Sequence, residues 1–129
     1  MKRDQFLTEV QERAEFDDDQ TANDAAEAVL RTLGERLQAG EADDLAAQLP
    51  DGIDEYVATD EAEQFDFEEF TDRVEERLDT GVSPKHASQA VASVVVDAAS
   101  TGELQDVVSE FPRNEGYGEL LALADESAS

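Results

Sequence analysis

The fold is set by residues 21–41, TANDAAEAVLRTLGERLQAGE, which recur in altered form as residues 83–103, SPKHASQAVASVVVDAASTGE. The matched positions are Thr21 and Ser83, Ala25 and Ala87, Ala28 and Ala90, Val29 and Val91, Gly40-Glu41 and Gly102-Glu103, and Asp44 and Asp106. Residues typical of helix starts and stops recur together with the apolar identities. The sequence therefore predicts an internal duplication.

The similarity extends outward from these two stretches. Phe6, Val10, Glu12 and Arg13 recur as Phe70, Val74, Glu76 and Arg77, and Leu49-Pro50 recurs as Phe111-Pro112. We expect one helical domain over residues 1–125, with repeats at about 2–57 and 65–124, an acidic connector at 58–64 and a frayed tail at 125–129. Because each half alone would bury little core, the two are expected to pack around a pseudo-two-fold axis as one all-α bundle.

Each half is predicted to contain a helix, a long helix and a short helix. In the first half, apolar residues at helical spacing place the first helix at about residues 2–15. Thr21, followed by Asp24, is predicted to cap the long helix. Gly40 is predicted to provide a left-handed turn after that helix. A short helix at about residues 41–49 and one further turn at 53–57 complete the half.

The second half has clearer helix-start signals. Asp66, with Glu69 three residues on, predicts an N-cap, and Phe65 and Phe70 have the spacing of a hydrophobic staple. The first predicted helix of this half runs from about Asp66 to Asp79, with a break at Gly81. The second runs from Pro84, after the Ser83 cap, to Ser100, where Gly102 stops it. A short helix from Glu103 to Phe111 follows, and a last one from Tyr117 to Ala124 contains Leu120, Leu121 and Leu123. The Val94-Val95-Val96 run is compatible with a strand, but its length and neighbouring alanines favour a helix.

The charge balance is extreme, with 34 acidic residues, 9 basic residues and a formal net charge of -25. Lysine occurs only as Lys2 and Lys85. At molar salt the Debye length falls to about 3 Å, so surface repulsion is largely screened. This composition is typical of cytoplasmic proteins of halophiles. The alternative is an acidic protein of ordinary salt with a cationic partner.

Several function classes are disfavoured by composition. Nucleic-acid binding and binding to an anionic membrane require clustered basic residues, which the sequence lacks. The chain contains no cysteine, so thiolate zinc sites and cysteine nucleophiles are excluded. No apolar run reaches the ~18 residues of a membrane span. The polar N-terminus shows no signal peptide, so we expect a cytoplasmic location.

Three stretches resemble the domain-of-unknown-function family 2267: AVLRTLGERL at 28–37, GEADDLAAQLP at 40–50 and FEEFTDRV at 67–74. The resemblance spans about Phe6 to Leu123, and the composition suggests a haloarchaeal-like member. It implies a small helical fold and no known activity. The second copy departs from the pattern. Phe111-Pro112 occupies the place of Leu49-Pro50, and Glu110 occupies the place of Gln48.

No candidate catalytic, cofactor or metal site is predicted. His86 is expected at the surface, without the partners that a metal site needs. The acidic stretches 17–19 and 60–69 lack the spacing and glycine of a calcium loop. The serines Ser88, Ser93, Ser100 and Ser109 have no activating base or elbow motif. A di-iron centre would need Glu-x-x-His pairs, and the sequence has none.

The arginines are expected to have structural roles. Arg31, Arg36, Arg73 and Arg77 can clamp an anion, but pairing with Glu27, Glu35, Asp72 or Glu76 on their own helices is favoured. Arg13 and Arg77, at equivalent places in the two halves, are expected to hold helix-end carbonyls or an inter-helix carboxylate.

The favoured function is a non-catalytic helical protein that binds a protein partner in a groove between its halves. One alternative is a small-ligand-binding protein or an enzyme with a pocket at the interface between the repeats. Another is an acidic mimic of nucleic acid. The sequence identifies no cofactor, no partner and no oligomeric state.

Overall fold

A computed structural model describes residues 1–57, 63–78, 81–111 and 116–118. Over these ranges the protein is all-helical, as predicted, and contains no strand. The helices are α1 Arg3–Ala14, α2 Asp19–Arg36, α3 Ala39–Ala46, α4 Asp54–Val57, α5 Phe67–Arg77, α6 Pro84–Ala98 and α7 Thr101–Val108. The predicted helix with Leu120, Leu121 and Leu123 lies almost wholly outside the described residues, as do the tail 125–129 and most of the connector 58–64.

Two long helices, α2 and α6, lie at the centre of the fold. They pack against each other, and both contact α1 and α5. Many apolar residues of the duplicated stretches face inward, and Ala25, Leu30, Ala87, Val91 and Val94 are fully buried. The predicted helix through Val94–Val96 is confirmed. Small alanine side chains on α2 let its neighbours approach closely while the β-branched residues of α6 fill the volume between them.

Several predicted helix starts are confirmed. The Asp66 side chain accepts a hydrogen bond from the Glu69 N–H at 2.9 Å, and the Ser83 hydroxyl accepts one from the His86 N–H at 3.2 Å. Phe65 contacts Phe70 with ring centroids 6.4 Å apart, as expected for a staple. The start of α2 was predicted incorrectly. Asp18 caps this helix by accepting from the Thr21 N–H at 2.8 Å, so Thr21 lies inside the first turn.

The predicted role of the repeated glycines is wrong. Gly40 and Gly102 lie inside the first turns of α3 and α7, and neither provides a left-handed turn. Helix α2 ends at Arg36 because Leu37 adopts an extended conformation that places its fully buried side chain in the core. Packing therefore ends this helix without a glycine. Helix α5 likewise ends at Arg77, before the break predicted at Gly81.

The longest described helix, α2, has 18 residues and carries several charged side chains along its length. Across the described part of the chain, no helix combines the length and apolar character that crossing a membrane requires.

Helices α2 and α4 approach each other most closely at Gly34. A Cβ built on Gly34 would lie 2.1 Å from the backbone oxygen of Val57, well inside van der Waals contact. Because the obstructing atom belongs to the backbone, a larger residue can be accommodated only if α4 moves.

We predict that Gly34→Ala lowers the free energy of unfolding by about 2–3 kcal/mol, because it separates α2 from α4. Gly40→Ala is the matched control, since a Cβ there meets nothing within 4 Å. That control should be neutral or stabilising by about 0.5 kcal/mol through helix propensity. Chemical denaturation at fixed KCl measures both. Equal stability of the two variants would contradict the close approach.

Candidate functional site

The first turns of α3 and α7 meet at the surface of the fold. Gln38 and Ser100 are the N-caps of these helices, so Glu41 and Glu103 each occupy the third helical position. These two glutamates are matched residues of the duplicated stretches. Their side chains form an acidic cluster with Asp44, and carboxylate oxygens of Glu41, Asp44 and Glu103 lie within 4.8 Å of one another.

The two helices exchange caps across this contact. The Gln48 side-chain oxygen, just beyond α3, accepts a hydrogen bond from the Ser100 N–H at 3.1 Å. The Glu110 carboxylate, just beyond α7, accepts one from the Gln38 N–H at 3.1 Å. Glu110 thus makes the same kind of bond as Gln48, because an amide oxygen and a carboxylate oxygen both accept. Since the N-cap N–H groups are already bonded, Glu41 and Glu103 are not needed for a capping box.

Glu41 and Glu103 each bury one carboxylate oxygen, Oε1, that has no hydrogen-bond partner among the described residues. Burial is the largest cause of the raised pKa of Glu41. A hydrogen bond with Glu103 that only the protonated form can make, and the negative charges of Glu103, Asp106 and Asp44, raise this pKa further, to about 7. Two carboxylate oxygens can hydrogen-bond each other only when one carries a proton. The cluster therefore stabilises the protonated form of Glu41 near neutral pH.

Carboxylate oxygens are also the ligands that Ca²⁺ and Mg²⁺ prefer. Glu41, Asp44 and Glu103 are the group within the described ranges whose oxygens come close enough to share an ion. However, Asp44 is exposed, and neither glutamate is fully buried. Exposed acidic groups often cluster without a metal, so this geometry does not assign one. The expected absence of a metal site remains a prediction.

A second charged cluster links α2 to α5 around Glu35. Arg77 donates to Glu35 at 2.8 Å and to the Thr32 hydroxyl at 2.8 Å. Arg73 lies 3.4 Å from Glu35 and also pairs with Glu69 and Glu63. Partial burial opposes ionisation of Glu35, but the hydrogen bonds and charges of Arg77 and Arg73 outweigh it and hold its pKa below the usual value.

Arg13 makes a similar contact between α1 and α6. It pairs with Glu9 on its own helix at 2.8 Å and with Asp97 on α6, and it donates to the Ser93 hydroxyl at 3.2 Å. Arg13 and Arg77 thus each bind an inter-helix carboxylate, as predicted for residues at equivalent places in the two halves.

The other arginines follow the predictions only in part. Arg31 pairs with Glu27 on its own helix at 2.8 Å, as expected. Arg36 differs because its Nε donates to the Phe65 carbonyl at 3.1 Å, and its guanidinium lies over the rings of Phe111 and Tyr117. This arginine is 5% exposed, so it packs as part of the core. For Arg73, the pairing residue on its own helix is Glu69 and not Asp72 or Glu76.

His86 and the serines form no catalytic pair within the described part of the chain. The His86 Nε2 lies 2.9 Å from the carbonyl oxygen of Ala14, which ends α1. Ser88, Ser93 and Ser109 donate to carbonyls of nearby residues at 2.7 Å each. The Ser100 hydroxyl accepts from the Glu103 N–H and caps α7.

The acidic stretches 17–19 and 60–69 have local roles where they are described. Asp18 caps α2, and Glu63 pairs with Arg73 at 2.7 Å. Residues 60–62 of the 60–69 stretch lie outside the described residues.

An open groove of about 450 Å³ lies between the N-terminal parts of α1 and α2. Both helices belong to the first predicted half, so this groove is not the one that was expected between the halves. Its walls are Arg3, Asp4, Leu7, Thr8, Asp19, Gln20 and Asn23. Asn23 is fixed in place because its side-chain oxygen accepts from Arg3 at 3.1 Å and from the Tyr56 hydroxyl at 3.0 Å. A second open surface depression, of about 480 Å³, lies over Arg73 and Arg77 on α5.

Sequence reasoning did not single out the Glu41–Glu103 pair. The available signal was the recurrence of Gly-Glu at matched positions of two similar stretches, 40–41 and 102–103. The glycines of this recurrence predict turns, and the linear pattern does not indicate that Glu41 and Glu103 meet.

These features define a class of protein: all-helical and strongly acidic, with charged clusters that connect helices. The particular family follows from comparison. A family model described as an uncharacterized conserved protein, DUF2267, matches residues 3–120, so the chain belongs to that family. The resemblance to this family is confirmed, and the haloarchaeal-like character stays a prediction. No curated protein matches the chain.

We predict that Glu35→Gln lowers the free energy of unfolding at neutral pH by about 1–2 kcal/mol, because the charged acceptor for two arginines is lost. The depressed pKa of Glu35 means that its contribution is present above the ordinary value of 4.5 and is lost as pH falls through the folded value. The difference between wild type and variant should therefore disappear in acid.

Glu27→Gln is the matched control, since it changes the same charge on the same helix but breaks only the exposed pair with Arg31. Its cost should be below about 0.5 kcal/mol. Urea denaturation at several pH values measures both variants. Equal losses, or a Glu35→Gln loss that persists in acid, would show that the cluster does not stabilise the fold.

Proposed function

We propose that this protein is a non-catalytic helical module that binds a protein partner and has a surface adapted to high salt. The observation that carries the proposal is the open groove between α1 and α2. The groove is large enough for a few side chains of a partner, and it offers both donors and acceptors.

The lining of the groove suits polypeptide better than an anion or an apolar ligand. Thr8, Gln20 and Asn23 are neutral hydrogen-bonding residues on a strongly acidic surface. Because Asn23 is already bonded to Arg3 and Tyr56, this part of the wall is preorganised. The amides and hydroxyl of these three neutral residues can bond the backbone groups of an incoming segment, while the charged residues Arg3, Asp4 and Asp19 line the same groove.

The exposed surface supports polar recognition. Among the described residues, Met1 is the only large apolar side chain that is exposed, at 45%. Protein interfaces that rely on apolar contacts normally expose larger patches than this. Binding through the groove would therefore depend on hydrogen bonds and shape.

The arrangement of the core favours this proposal over an internal ligand pocket. Val29, Val91, Val94 and Val95 are the residues that would line a pocket between the repeats, and they belong to one buried cluster. Leu33 packs against the same cluster. With their side chains in contact with one another, little volume remains there for a small molecule.

We further propose that the chain is built as two repeats related by a pseudo-two-fold axis. The exchanged caps at Gln48 and Glu110 support this arrangement, because the same contact occurs in both directions. The matched arginines Arg13 and Arg77, each bound to a carboxylate of a neighbouring long helix, support it independently.

To test the groove, we predict that Thr8→Arg weakens partner binding at least about tenfold, equivalent to about 1.4 kcal/mol, by filling the space with a long side chain. The partner is first captured from lysate in concentrated KCl, and its binding to the purified protein is then measured by calorimetry. Gln105→Arg, an exposed site on α7 with the same charge change, is the control and should bind like wild type. A partner that binds both variants equally would exclude the groove.

To test salt adaptation, we predict that the thermal unfolding midpoint rises as KCl increases from about 0.1 M to about 1 M, where the Debye length falls from about 10 Å to about 3 Å. Circular dichroism measures the midpoint. Sucrose is the control, because it favours burial without screening charge. An unfolding midpoint that does not change with KCl would mean that the net charge of -25 serves a partner instead of the solvent.

A further inference from the structure

The first turns of α3 and α7 bring two carboxylates close together at a place away from the groove. Glu41 and Glu103 come from different helices, and each buries an oxygen that no described residue bonds. If both carboxylates were ionised, these oxygens would repel each other at close range. A single proton removes the conflict, because one carboxyl then donates to the other.

We propose that Glu41 and Glu103 hold one proton between them and form a proton-linked contact between α3 and α7 that weakens when the proton leaves. The proton lies between one carboxylate oxygen of Glu41 and one of Glu103 and cancels one negative charge. Its departure to solvent leaves two carboxylates facing each other, so the two helices separate more readily. The contact thus makes this part of the fold sensitive to pH in the neutral range.

The negative charges around the pair all favour the protonated form of Glu41. Helix α7 contributes Glu103 and Asp106, and α3 itself contributes Asp44. Glu110, beyond α7, is bonded to the Gln38 N–H at the start of α3. On α4, which also packs against α3, Asp54 accepts from the Gly52 N–H and Glu55 is exposed. The ion pairs formed among the described residues all lie outside this cluster.

The direction of the pH effect follows from the raised pKa of Glu41. Its value of about 7 exceeds the ordinary 4.5, so folding favours the protonated form. The stabilisation from the pair is fully present below the ordinary value and is lost as pH rises through about 7. This is opposite to Glu35, whose contribution is lost in acid.

The exchanged caps limit the consequence of losing the proton. Gln48 still accepts from the Ser100 N–H, and this bond does not depend on a titrating group. Deprotonation should therefore loosen the contact between the first turns without unfolding the whole protein.

The test compares Glu41→Gln with Glu75→Gln, which removes the same charge at an exposed site on α5. Glutamine resembles the protonated acid in shape, and its amide can donate to Glu103. In concentrated KCl at about pH 8, Glu41→Gln should raise the unfolding midpoint by about 4 °C more than the control does. At about pH 4 the advantage of Glu41→Gln over the control should disappear, because the native Glu41 carboxyl is then protonated and no longer repels its neighbours. Equal shifts at both pH values would overturn the proposal.

A second measurement uses the wild-type protein and does not depend on the folding of a variant. Carbon-13 NMR of the glutamate carboxyls should show Glu41 titrating near pH 7. In Glu103→Gln the titration should move to lower pH, because an amide donor then favours the ionised form. A wild-type Glu41 that titrates in the ordinary range would also overturn the proposal.

Discussion

The packing of α2 and α6 against each other, and of both against α1 and α5, is the interaction on which the rest of the molecule depends. A chain with a net charge of -25 repels itself, and that repulsion must be offset by burying apolar surface. The duplicated alanine and valine positions provide this surface. Fully buried residues such as Ala25, Ala87 and Val91 form a core with small side chains and close helix contacts.

The charged clusters lie at the borders of this core. Arg13 joins α1 to α6, and Arg77 joins α5 to α2. Arginine suits such positions because its planar group can bond a carboxylate and a hydroxyl together, as Arg77 does with Glu35 and Thr32. These contacts use basic residues where they connect helices.

Much of the fold was predictable because its signals are local. Asp66 and Ser83 cap helices through residues three positions away, and the sequence identified both correctly. Predictions failed where packing between distant elements decides the outcome. Leu37 ends α2 because its side chain packs into the core, and Gly40 lies in the first turn of the next helix.

The candidate site was harder to predict than the fold. The groove depends on how α1 and α2 lie together, and the Glu41–Glu103 contact exists only when two distant turns meet. Neither has a motif in the linear sequence. Matched Gly-Glu pairs showed that the two turns are alike, but only the packing of α3 on α7 shows that they face each other.

The exchanged caps have a consequence for folding order. Each joins residues far apart in the chain, since Gln38 and Glu110 are separated by 72 positions and Gln48 and Ser100 by 52. Closing such distant contacts costs chain entropy, and this cost is offset only after the intervening helices have packed. An isolated half would leave a helix start without its acceptor. Both bonds can therefore form only after the segments around residues 38–48 and 100–110 have come together, so these two helix starts are completed late in folding.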